Sequence, residues 1–85
     1  MTTLIDCRFD KLRELGYTGT TTDMLYAWLI AEGANPGGHI NDKWHEMLVS
    51  KGYSGQVNDM WYAYLGDLGY TGHINDREMI FWENL

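Results

Sequence analysis

The side chains best able to do chemistry here are the histidines, the lone cysteine and a recurring Asn–Asp pair. His39 and His73 open identical His-Ile-Asn-Asp segments, and His45 lies about a helical turn and a half beyond His39. His45 with a nearby carboxylate is the start of a metal site, but zinc needs three or four convergent ligands. Equivalent positions elsewhere carry Thr20 and Gln56, so His39 and His73 read as occupants of a variable loop position. The pairs Asn41–Asp42, Asn58–Asp59 and Asn75–Asp76 offer oxygen ligands, but a calcium loop alternates its carboxylates along about twelve residues. Helix capping accounts for these pairs instead. Cys7 has Asp6 beside it and Asp10 a turn away, which raises a thiol pKa and disfavours the nucleophilic thiolate. The Gly-Tyr-Thr-Gly turns have neither the lysine nor the preceding strand of a phosphate loop. No Ser/His/Asp arrangement follows from the spacing. The expectation is no catalytic residue, no metal ligand and no cofactor.

These residues sit on a repeated frame. Asp6, Asp23, Asp42, Asp59 and Asp76 are separated by 17, 19, 17 and 17 residues. Gly16, Gly33, Gly52 and Gly69 each follow ten residues after one of the first four, and Gly19, Gly38, Gly55 and Gly72 come four residues before the next Asp. Repeats of this kind decide the fold. Each unit reads as a short helix bounded by its own signals. Asn41, Asn58, Asn75 and, in the first full copy, Thr22 are the expected N-caps, with Ile40, Val57 and Ile74 just before them as hydrophobic staples. The Asp that follows complements the helix dipole. The first Gly is the left-handed C′ residue, and Tyr17, Tyr53 and Tyr70 follow it at C″. Asn35 and Pro36 form the insertion behind the 19-residue spacing. The units run approximately over 3–16, 20–33, 39–52, 56–69 and 73–85, the first of them degenerate, within a single domain spanning 1–85.

The columns of the repeat define the buried face. Six residues after each Asp stand Leu12, Leu29, Leu48, Leu65 and Trp82; at plus two stand Leu25, Trp44 and Trp61. Plus five holds Trp28, Met47, Tyr64 and Phe81, and plus nine holds Leu15, Leu68 and Leu85. At about 100° per residue these positions form one stripe. Plus four, seven and eight carry Asp10, Arg13, Glu14, Ala27, Ala31, Glu46, Ser50, Asp67 and Glu83, which reads as a solvated, acidic face. Helices of about ten residues are unstable alone in water. The expectation is an all-α, compact array of five short helices built from helix–turn repeats of about 17 residues, folded up rather than drawn out as a solenoid.

Twelve large rings in 85 residues are more than so small a core needs. Tyr26 and Tyr62 fall at the edge of the stripe, and Tyr53 and Tyr70 lie at helix ends. Tyrosine and tryptophan are favoured at protein contacts, so Tyr26, Tyr53, Tyr62 and Tyr70 are the candidate protein-binding residues. The competing reading is that the rings only widen the core. Net charge is −6 with no Lys/Arg cluster, which argues against nucleic acid as a partner. No segment reads as a signal peptide, and no run approaches the roughly 20 apolar residues of a membrane span. The single cysteine suits a reducing compartment.

The segments LGYTGTTTDMLYAWL, KGYSGQVNDMWYAYL and LGYTGHINDREMIFW resemble the short LGxTGxxND-type helical repeats of virion-associated proteins of tailed bacteriophages. Such repeats occur as small free-standing proteins and as appendages of head or tail proteins. The likeness covers residues 3–85, with Thr20–Thr22 departing from the Asn form. It implies a non-enzymatic structural or assembly protein of the head, connector or tail, located in the virion and in the host cytoplasm during assembly. Its partner would be a larger phage structural protein or identical subunits, as a homo-oligomer. It transfers no functional residue beyond the repeat positions. The alternative is a small acidic phage protein that inhibits a host protein, such as a defence nuclease, through a carboxylate-rich face.

Overall fold

Each copy of the repeat forms one α-helix of 11 residues in the computed structural model, which describes residues 3–85. The helices are α1 Leu4–Glu14, α2 Thr21–Ala31, α3 Ile40–Ser50, α4 Val57–Asp67 and α5 Ile74–Asn84. The protein is all-α. Their starts keep the spacing of the repeat because the stop signal is local and works in every full copy. Gly16, Gly33, Gly52 and Gly69 have φ of 100°, 130°, 96° and 97°. In the turn after α1 the Tyr17 N–H donates to the Leu12 carbonyl at 3.1 Å, and Gly16 N–H donates to Arg13 at 3.0 Å. This Schellman pattern recurs after α2, α3 and α4, where Leu29, Leu48 and Leu65 are the long-range acceptors. The plus-six leucine therefore does two things: its side chain is fully buried, and its carbonyl closes the helix.

A Cβ at Gly52 or Gly69 would meet no atom within 4 Å, so backbone conformation alone decides its cost. Gly52→Ala or Gly69→Ala is expected to lower stability by about 1 kcal/mol or more. Urea melts of the two variants overlaying wild type would remove the C′ assignment.

The helix starts differ from the sequence expectation by two residues. The N-caps are Thr3, Thr20, His39, Gln56 and His73. Thr22, Asn41, Asn58 and Asn75 are not caps; they lie inside the first turn. Ile40, Val57 and Ile74 are the first helical residues rather than staples outside the helix. The repeat Asp thus occupies N3. In α1 and α2 it completes a capping box: Asp6 N–H donates to Thr3 Oγ1 at 3.1 Å and Asp23 N–H to Thr20 Oγ1 at 3.1 Å, with the Asp carboxylate accepting from the cap N–H in return. His39, Gln56 and His73 make no side-chain cap bond. Thr20→Ala is expected to cost about 1 kcal/mol, whereas Asn58→Ala and His73→Ala should each change stability by less than about 0.5 kcal/mol. Chemical melts of the three variants in parallel would show the reverse order if asparagine were the cap.

The helices close on themselves. α1 packs on α2, α2 on α3, α3 on α4 and α4 on α5, and α5 returns to pack on α1. The result is a flat ring of 32 × 29 × 16 Å, compact as expected. Rings meet across its middle: Trp28 lies 4.9 Å from Trp82 and 5.9 Å from Phe81, and Trp61 lies 5.3 Å from Phe81. These are tilted and edge-to-face pairs, the arrangement aromatic quadrupoles favour.

Two columns of the repeat behave otherwise than expected. Leu15, Leu68 and Leu85 at plus nine are exposed; all three fall at the C-cap, and after Leu15 and Leu68 the chain enters the glycine turn. The plus-one column, unread in the sequence, is buried instead at Cys7, Met24, Lys43 and Met60. Lys43 buries its stem and brings Nζ to within 2.6 Å of Glu46 Oε1. Glu46, expected in solvent, is half-buried and also accepts from the Asn35 N–H of the insertion at 2.9 Å. These bonds, that from Lys43 first, hold its carboxyl below the usual carboxylate range. Asp10, Arg13, Glu14, Ala27, Ala31, Ser50, Asp67 and Glu83 are exposed as expected.

Candidate protein-binding surface

The four candidate tyrosines do not form one patch of free rings. Tyr62 is exposed, but Arg77 covers it: the guanidinium carbon lies 3.8 Å from the ring centroid and Nη2 donates to the hydroxyl at 2.7 Å. Tyr26 is half-buried, and its hydroxyl donates to the Gly38 carbonyl at 3.1 Å, tying α2 to the turn before α3. Tyr53 and Tyr70 pack against the core at the C″ positions, as the Schellman turn requires. The Tyr53 hydroxyl donates to Asp67, and that bond, with burial behind it, pushes the phenol pKa up. Among the described residues no ring–ring contact joins any two of the four. Three of these tyrosines hold turns in place, and Tyr62 alone is exposed.

Tyr62 belongs to a larger feature that the sequence did not reveal. An open depression of about 590 Å³ is lined by the first turns and adjoining residues of α1, α3, α4 and α5. Three columns of the repeat build it. Leu4, Val57 and Ile74 are the first helical residues, Asn41, Asn58 and Asn75 the second, and Arg8, Trp44, Trp61 and Glu78 stand two residues after the repeat Asp. Trp44 and Trp61 meet edge-to-face at 4.8 Å. Beside them Arg8 Nη2 donates to Glu78 Oε1 at 2.8 Å, joining the first helix to the last. The Arg8 guanidinium carbon also lies 5.9 Å from the centroid of Trp44 and 6.0 Å from that of Trp82. The second copy, α2, has Thr21, Thr22 and Leu25 at these columns and lines no part of the depression.

The asparagines are thus not the caps their sequence suggested. At N2 their amides are exposed beside the depression and, among the described residues, form no side-chain hydrogen bond to protein. The signal that could have found this was present in the sequence: Thr3–Asp6 and Thr20–Asp23 carry the capping-box spacing, and extending that register moves every asparagine inside its helix.

The other residues considered for chemistry lie apart. His39, His45 and His73 are exposed, and among the described residues no group of three or more His, Cys, Asp or Glu side chains is placed to hold a metal ion. Cys7 is buried, and burial first, then Glu83, Asp10 and Asp6, pushes its thiol up. No helix among the described residues is long and apolar enough to cross a membrane. No family model, no curated protein and no solved structure matches the chain.

Proposed function

We propose that this chain is a non-enzymatic structural or assembly module of a tailed-phage particle, acting through protein–protein contacts. The observation that carries this reading is the open aromatic depression, to which four helices contribute residues drawn from the same three columns of the repeat. Such a surface, with an apolar floor and a polar rim, has the anatomy of a contact site. The resemblance of the helix–turn motifs to phage virion repeats supplies the setting: the particle, and the host cytoplasm while it assembles. The docking partner is a larger head, connector or tail protein.

The second reading, an acidic inhibitor of a basic host protein such as a nuclease, requires a one-sided acidic surface. The carboxylates are instead divided. Asp59 and Glu78 line the large depression, while Asp10, Glu14 and Glu83 line a separate one beside Cys7. That distribution favours the structural module. Mass spectrometry of purified particles is the deciding measurement. The polypeptide should co-purify with virions in fixed stoichiometry, and its absence from particles that otherwise assemble would overturn the reading.

A further inference from the structure

We infer that the depression between α1, α3, α4 and α5 is a docking site for a basic polypeptide segment, one apolar side chain seated among Trp44, Trp61, Leu4, Val57 and Ile74. The inference rests on the reading above, that the chain works through protein contacts, and deepens it by naming the surface and the chemistry of the partner.

Charge selects the occupant. The cation lining the depression is Arg8, and it is engaged by Glu78 at 2.8 Å. Arg77 stacks on the lining residue Tyr62 and donates to its hydroxyl. Asp59 lies in the lining with an exposed carboxylate, and Asp42 and Asp76, also exposed, adjoin Asn41 and Asn75 on the rim. A second copy of this chain, with the same acidic rim and a net charge of −6, would be repelled. A segment carrying Lys or Arg on either side of an apolar residue meets complementary charge. The three asparagine amides add paired donor and acceptor capacity, which is what an extended main chain offers in return. Little of the aromatic floor is open to a partner: Trp61 is 6% exposed and Trp44 is half-buried.

The test is an NMR titration of the intact protein with two end-blocked synthetic peptides, Lys-Arg-Leu-Phe-Lys-Arg and Glu-Asp-Leu-Phe-Glu-Asp. The basic peptide should shift the indole N–H signals of Trp44 and Trp61 and the side-chain amides of Asn41, Asn58 and Asn75. The acidic peptide should not. Raising ionic strength from about 0.05 M to about 0.5 M should weaken the basic complex roughly tenfold. Trp44→Ala should weaken it at least about tenfold. Asn58→Lys, an exposed change that keeps the fold, should weaken it by about fivefold or more. Equal binding of both peptides, shifts centred on Cys7 and Glu83, or indifference to Asn58→Lys would each overturn the inference. So would sedimentation showing a dimer that Asn58→Lys abolishes, since the occupant would then be a second copy. Particle incorporation separates the two readings. If virions take up the Asn58→Lys protein normally, the docking site is wrong and the structural role stands. If the chain is absent from virions yet binds the basic peptide through this surface, the structural role is wrong and the site stands.

Discussion

Trp82→Ala is expected to lower stability by about 3–5 kcal/mol, enough to leave a chain of this size largely unfolded near physiological temperature. Trp82 is fully buried in the last helix, at the column where the other copies carry leucine. It touches Trp28 at 4.9 Å and Phe81 at 5.2 Å, so its removal opens a hole where α2 and α5 meet across the ring. Its indole N–H is buried with no hydrogen-bond partner, which makes the chemistry of the replacement informative. Trp82→Phe keeps most of the volume and removes the unsatisfied donor. It should cost less than about 1.5 kcal/mol. Urea unfolding followed by far-UV circular dichroism measures both. A loss under about 1.5 kcal/mol for the alanine variant would mean that the ring is not held together through this side chain.

The second large effect concerns the seam between the first and last helices. Glu78 is 5% exposed and its carboxylate is held by Arg8, while Lys11 Nζ donates to the Leu85 carbonyl at 3.1 Å along the same seam. Removing one member leaves the other charge buried and unpaired. Arg8→Ala or Glu78→Ala is therefore expected to cost about 2–3 kcal/mol, at the low end for such pairs because Arg8 keeps some contact with water. Replacing both with apolar residues of similar size, Arg8→Met with Glu78→Leu, should recover most of that loss. A double-mutant cycle from denaturant melts gives the coupling. Single variants that melt like wild type would show that the seam is closed by apolar contacts alone.

The pair also illustrates a limit of column reading. Arg8 and Glu78 stand two residues after Asp6 and Asp76, at positions where the middle copies have Leu25, Trp44 and Trp61. In a linear array the terminal copies would turn these charges to water. Here the ends meet, so the two polar exceptions face each other and pair through Arg8 Nη2 and Glu78 Oε1. Nothing within a single repeat says that the first and last units touch. That depends on the angle accumulated over every turn.

Local chemistry, by contrast, was readable. The helix stops follow from glycine at positive φ and from an apolar residue after it, both set within six residues of chain. The plus-six column follows from periodicity, and its leucines are fully buried. The helix starts were legible in part. The Asp falls in the first turn as expected, but asparagine is so favourable a cap by residue type that it masks His39, Gln56 and His73, which hold the cap positions. The structure holds the Asp at N3 in all five helices, and the asparagines fall inside. Binding residues were the least legible. Tyr53 and Tyr70 answer to the turns they close, and Tyr26 to a carbonyl in a neighbouring turn.

By itself, then, the sequence determined an all-α chain of five short helices, their stops and the centre of their buried stripe. All of these depend on interactions among residues near one another along the chain. The tertiary structure alone decided that the array closes into a ring, that Lys43 and Glu78 are buried, and that the plus-nine leucines are exposed. It also decided that four helices line one depression, with asparagines from α3, α4 and α5 and tryptophans from α3 and α4 around it. The physical reason is range: capping and periodicity act over one or two helical turns, whereas ring closure and the surface it creates depend on contacts between residues as far apart as Arg8 and Glu78.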